Sequence, residues 1–178
     1  MAHYPAELVE THRLTDGRMI SIRPIRASDA GMEQDFVRHL SSDARYRRFM
    51  GTLRELPAKQ LHELTDIDYE RHMALVATIE HDGAEEEIGV ARYISDFAGR
   101  RCEFAIVVAD AWQGSGVAGR LMRALMRSAR AHGLEVMEGF VLASNHPMLR
   151  FTRQLGFTQH PLADDPGMLR VERRLQPG

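Results

Sequence analysis

Three glycines within six residues, Gly114-Ser115-Gly116-Val117-Ala118-Gly119, separate an apolar strand-like run, Ala105 to Val108, from a stretch of good helix formers. After the run, Val117, Leu121, Ala124, Leu125 and Ser128 recur at helical spacing until Gly133 supplies a C′ position. The chain must therefore pass from strand through a glycine turn into a helix. Glycines there let backbone N–H groups approach an anion closely. The helix N-terminus adds free donors and about half a positive charge. A pyrophosphate cradle over Gln113 to Gly119 accounts for glycines at that place better than a merely flexible turn.

Around this unit the chain reads as α+β with a mixed sheet. Met19 to Ile25 predicts a strand, and Ser28 or Asp29 a helix cap before the apolar face of Met32, Phe36, Val37 and Leu40. A second amphipathic stretch runs through Leu61 and Leu64 behind Pro57. Met73 to Ile79, Ile88 to Ile94 and Cys102 to Val108 form an antiparallel meander, with Asp82-Gly83 and Gly99-Arg100 at its turns. Past the glycine loop come a strand over Val136 to Leu142, a helix opened by Pro147 and closed by Gly156, and two terminal strands around Asp164 to Gly167.

The glycine string also satisfies the dinucleotide fingerprint G-x-G-x-x-G. The spacer Ala109 to Gln113 is too long for that motif, Val141 to Ser144 offers no ribose-binding acid, and too few residues remain for further βα units. No Gly-Lys-Ser/Thr follows, so a P-loop is ruled out. The single cysteine, Cys102, excludes an internal disulfide or cysteine cage and reads as a small core residue. The nine histidines are scattered without metal-ligand spacing, so no metal is expected. A net charge of −2 gives no general pull toward nucleic acid. No apolar run approaches the roughly 20 residues of a membrane span, and Met1 to Glu10 lacks a signal peptide's apolar core, so the expected location is cytoplasmic.

Two motifs in register resemble those of the GNAT superfamily of N-acetyltransferases. The first, Gln/Arg-x-x-Gly-x-Gly/Ala between a central strand and a helix, is matched by Gln113, Gly116 and Ala118. The second is matched by Asn145, Met148, Phe151, Gly156 and Phe157. Segments Asp16 to Arg26, Leu40 to Phe49 and Trp112 to Gly114 further resemble the acetyltransferase domain of bacterial protein-lysine acetyltransferases. The resemblance implies one GNAT domain over residues 1–178, with a mixed central sheet flanked by helices and a splayed central strand. It implies acetyl-CoA as donor, with the thioester beside Val107 and Val108 and a Val108 N–H facing its oxygen. Gln113, Gly114, Ser115, Gly116, Val117, Ala118 and Gly119 would hold the pyrophosphate, and Asn145 would fix the following loop and touch the pantetheine arm.

Glu103, at the start of the central strand, matches the glutamate that serves as base in the resembled lysine acetyltransferases; a surface glutamate paired with Arg100 or Arg101 is the plainer account of it. Thr152 stands where many members carry a thiolate-protonating tyrosine, which keeps open a CoA-binding regulatory module without catalysis. Asp66, Asp68 and Glu70 read as a solvated acidic loop, and Arg45, Arg47 and Arg48 as a charged helix end facing solvent. The implied partner is an amine, a protein lysine or a small molecule, and the resemblance allows a homodimer through the terminal strands.

Overall fold

A computed structural model of the chain describes residues 2–175; Met1 and residues 176–178, the two ends of the expected domain, lie outside the described residues. Eight strands form one sheet in the order β1-β2-β3-β4-β5-β6-β8-β7. They are β1 (Glu10–Arg13), β2 (Met19–Pro24), β3 (His72–His81), β4 (Ala84–Ser95), β5 (Arg101–Val108), β6 (Val136–Leu142), β7 (Thr158–Leu162) and β8 (Asp165–Arg174). Every neighbouring pair is antiparallel except β5 and β6, which are parallel and joined through a helix. The helices are α1 (Ala30–His39), α2 (Ser42–Phe49), α3 (Ala58–Thr65), α4 (Val117–Ala131) and α5 (His146–Gln154). This is the mixed α+β arrangement expected from the sequence.

Alternation along the central strands divides the core between the two sheet faces. Met73, Leu75, Tyr93, Cys102 and Ile106 pack toward α4 with Leu121, Met122 and Leu125, and Ile88 joins them where the register shift opposite Ala77 and Thr78 interrupts the alternation of β4. Ala74, Val76, Val90 and Val107 pack with Phe36 and Val37 of α1 and with Leu40 just beyond it. Helix α4 buries Val117, Leu121, Ala124, Leu125 and Ser128, the residues whose spacing predicts it. Asp82 and Gly83 both take positive φ, as a two-residue hairpin loop requires. Cys102 is buried, and burial pushes its thiol up to about 12, in keeping with an inert core position.

Three local features differ from expectation. The short polar strand β1 pairs with β2 at the sheet edge. Residues Ser42–Phe49 form a helix of their own, capped by the Ser41 hydroxyl, which accepts from the Ala44 N–H at 3.1 Å. Asp29 stands at the N-cap position of α1 but makes no side-chain cap bond. Its carboxylate instead accepts two hydrogen bonds from Arg23, at 2.7 and 2.9 Å.

The parallel pairing of β5 with β6 is brief. It covers Arg101–Val136, Cys102–Met137 and Glu103–Glu138, and the strands part beyond it. At the parting, the Phe104 ring lies over Gly139: a Cβ placed there would sit 2.5 Å from Phe104 Cε1. That ring also packs on Phe157, with centroids 5.2 Å apart. Gly139→Ala should therefore overpack this corner and destabilise the fold by about 1–3 kcal/mol, read by chemical denaturation; an unchanged midpoint would mean that the ring moves aside freely.

Candidate active site

The gap between β5 and β6 opens into a cleft of about 410 Å³. Ala105 to Val108 form one wall, with Phe140, Val141, Asn145, Met148 and Phe151 opposite. The glycine loop closes one end, through Gln113, Gly114, Gly116 and Ala118. Helix α2 roofs the cleft with Ala44, Arg47 and Arg48.

Backbone geometry leaves donors aimed into this space. Ala109 N–H bonds the Ile88 carbonyl on β4 at 2.8 Å, and the β4–β5 register is regular up to Gly89–Val108. Alternation therefore turns the Val108 N–H the other way, toward β6, which has diverged. In the loop, Gly114 and Gly116 have φ of +76° and +94°, and a Cβ at either would meet no atom within 4 Å. Glycine is needed there for the backbone conformation, and the space beside it is open. The N–H groups of Gly114, Gly116, Ala118 and Gly119 have no protein acceptor among the described residues, and the first turn of α4 carries no acidic side chain. Ser115 and Val117 serve the loop itself: the Ser115 hydroxyl bonds the Trp112 carbonyl, and the Val117 side chain is buried in the core. Gly119 leaves room for the Arg123 side chain.

Glu103 stands at the last paired position before the strands part, beside the cleft rather than among its lining residues. It has neither an ion pair nor a side-chain hydrogen bond among the described residues, so the pairing with Arg100 or Arg101 does not form. Arg101 is bound to Glu138 and Glu172 instead, at 2.9 and 2.8 Å. Partial burial, and then the Glu138 charge, raise the Glu103 pKa above the usual glutamate range, while Arg48 opposes the shift.

Asn145 caps α5, accepting from the Met148 N–H at 3.4 Å, and also lines the cleft. Thr152 is fully buried, and its hydroxyl donates to the Leu149 carbonyl at 3.1 Å, so that position faces away from the cleft. Asp68 is structural: its carboxylate accepts from the N–H groups of Glu70, Arg71 and His72. The expectation for Arg48 fails. Its side chain is half-buried on the cleft wall, and burial together with nearby Arg92 lowers its guanidinium pKa to about 10. Sequence reasoning also missed the tie between this roof and the loop, where Asp110 accepts from the Ser41 N–H at 2.9 Å and from its hydroxyl at 3.1 Å. The legible signal was Ser41 itself, a cap residue in front of a charged stretch.

A helix-flanked mixed sheet, parted at its single parallel pair beside a glycine loop, is the architecture of an acyl-CoA-dependent transferase. The chain belongs to the acetyltransferase (GNAT) family, which matches residues 35–157. It is an N-acetyltransferase of that family, whose members move an acetyl group, generally from acetyl-CoA, to an amine. It is 38% identical over 152 residues to Acetyltransferase PA5475 of Pseudomonas aeruginosa, covering 85% of this chain and 82% of that one. The crystal structure of the GNAT domain of S. lividans PAT superposes with a TM-score of 0.89 at 32% identity, covering 97% of this chain and all of that one. Acetyltransferase Pat of Mycolicibacterium smegmatis is 29% identical over 90% of this chain, which spans 47% of that relative. No helix among the described residues is long and apolar enough to cross a membrane, and no group of metal-ligating side chains occurs among them.

Proposed function

We propose that the chain acetylates a primary amine, with a protein lysine as its acceptor, by direct attack on acetyl-CoA bound between β5 and β6. The observation that carries this reading is a carboxylate without an ion-pair partner, Glu103, standing beside a cleft whose lining carries open backbone donors. Acetyl-CoA supplies the acyl group activated as a thioester. The N–H groups of Gly114, Gly116, Ala118 and Gly119 hold the pyrophosphate, aided by the positive end of α4. The Val108 N–H faces the thioester oxygen and stabilises the negative charge that grows there. Glu103 takes the proton of the incoming ammonium, directly or through water, and the freed nitrogen lone pair attacks the carbonyl carbon. The carbon–sulfur bond then breaks, coenzyme A leaves as the thiolate, and the second proton on the attacking nitrogen passes to solvent or to that thiolate, leaving the neutral amide. With Thr152 buried, the chain supplies no acid at that position, and the modest basicity of a thiolate makes one unnecessary. Lysine as acceptor is supported by the likeness of Asp16 to Arg26 and Leu40 to Phe49 to the lysine acetyltransferases and by the kinship with Pat.

The test is thiol release from acetyl-CoA across a panel of small amines and lysine peptides, run beside thermal shifts with acetyl-CoA, coenzyme A and NAD. The reading expects stabilisation by both CoA forms but not by NAD, and turnover with lysine peptides. Stabilisation without turnover on any amine would favour a regulatory CoA-binding module, for which the buried Thr152 hydroxyl speaks. Gly116→Ala places a side chain at φ +94°, a strain of about 1–2 kcal/mol. The loop relaxes by moving, so the KM for acetyl-CoA should rise about 5–30-fold; an unchanged KM would remove this loop from donor binding.

A further inference from the structure

Glu103 is one member of a row of side chains that crosses the sheet. The registers set Ile94 of β4, Glu103 of β5, Glu138 of β6 and Glu172 of β8 side by side. Arg101 lies two residues before Glu103 and therefore on the same face of β5, within reach of its carboxylate. It turns away. Its Nη2 is 2.8 Å from Glu172 Oε2 and 2.9 Å from Glu138 Oε2. Arg170 completes the group, pairing with Glu172 and lying 3.6 Å from Glu138. Two guanidinium groups thus meet two carboxylates, and the third carboxylate of the row, Glu103, is left without an ion-pair partner among the described residues.

We infer that Glu138 is a positioning residue for the base: with Glu172 it holds Arg101 away from Glu103, keeping the Glu103 carboxylate free to accept the amine proton. The inference rests on the reading of Glu103 as base. Direct pairing with Arg101 would lower the proton affinity of Glu103 and block its approach to an acceptor. The remaining groups facing Glu103 are few. Ile94 on β4 is apolar and half-exposed, Arg48 approaches from α2, and Arg92 lies deeper beneath α1, paired with Glu33 at 3.6 Å. Arg48 favours the charged form, whereas burial and the Glu138 charge oppose it. Glu138 thus acts twice, as a like charge beside the base and as an anchor for the cation that would neutralise it.

Glu138→Gln is the direct test. It removes the like charge and loosens Arg101, so the acid limb of kcat/KM should move down by about one pH unit or more. Turnover near neutral pH should fall with it. Adding Arg101→Ala to Glu138→Gln should return part of both effects, which a purely structural role for Glu138 does not predict. Glu172→Gln loosens Arg101 from its other side and should shift the limb in the same direction by less. Carbon-13 NMR titration of glutamate-labelled protein, with Glu103→Gln to assign the signal, reads the Glu103 carboxyl without reference to activity. A Glu103 titration unmoved in both Glu138→Gln and Glu172→Gln would overturn the inference. Full turnover by Glu103→Gln would instead remove the base assignment, so the two failures are distinguishable.

Discussion

Glu103→Gln should lower kcat by about 10²–10⁴-fold, the usual contribution of a positioned general base. The thermal shift produced by acetyl-CoA should stay within about one degree of the parent's, because the loop that offers the pyrophosphate donors lines the cleft and Glu103 does not. The pH profile gives a second reading. Since burial and Glu138 raise the carboxyl pKa, kcat/KM should climb with pH through a limb above the ordinary glutamate range. Glutamine cannot accept the proton, so the residual rate should lose that limb. A Glu103→Gln enzyme with parental kcat would take the residue out of the chemistry and leave the divergence of β5 and β6 as a binding feature only.

The largest effect on stability is expected far from the cleft, at Asp29. Arg23 and Asp29 are 5% and 8% exposed and form a bidentate pair, with Glu85 on the other side of the guanidinium at 2.8 Å. Asp29 also accepts from the Arg26 N–H at 2.8 Å, which fixes the entry to α1. Asp29→Ala strands a buried guanidinium and a backbone donor together, and should cost about 3–5 kcal/mol in denaturant unfolding. A loss under 1 kcal/mol would mean that Glu85 alone suffices for Arg23. The cluster also responds to acid. Hydrogen bonding from Arg23 lowers the Glu85 pKa. Its contribution is therefore present above the unfolded glutamate pKa and disappears as the pH falls through the lowered folded value.

The sequence was most informative where a regular period met a special residue. Helix α4 combines a long apolar stripe with Gly116 at one end and Gly133 at the other, so its limits and buried face could be read directly. Helix α2 carries no such stripe: of Ser42–Phe49 only Ala44 is buried, and its charged side chains concealed both the helix and the cleft wall it forms. Strand β1 is four residues of largely polar edge, below what alternation can reveal. The site divides in the same way. Glycines report a backbone conformation, so the loop stood out; the free state of Glu103 depends on which carboxylates Arg101 meets across two other strands, and only the register discloses that. The burial of Thr152 and the cleft-facing place of Arg48 likewise follow from helix rotation, which sequence spacing sets only loosely.

The most direct test of the account is the crystal structure of the chain with acetyl-CoA bound. The account predicts the pyrophosphate within hydrogen-bond reach of the N–H groups between Gly114 and Gly119, and the thioester oxygen facing the Val108 N–H beside Glu103. Acetyl-CoA bound elsewhere on the surface, or in the cleft with its thioester remote from Val108 and Glu103, would contradict it.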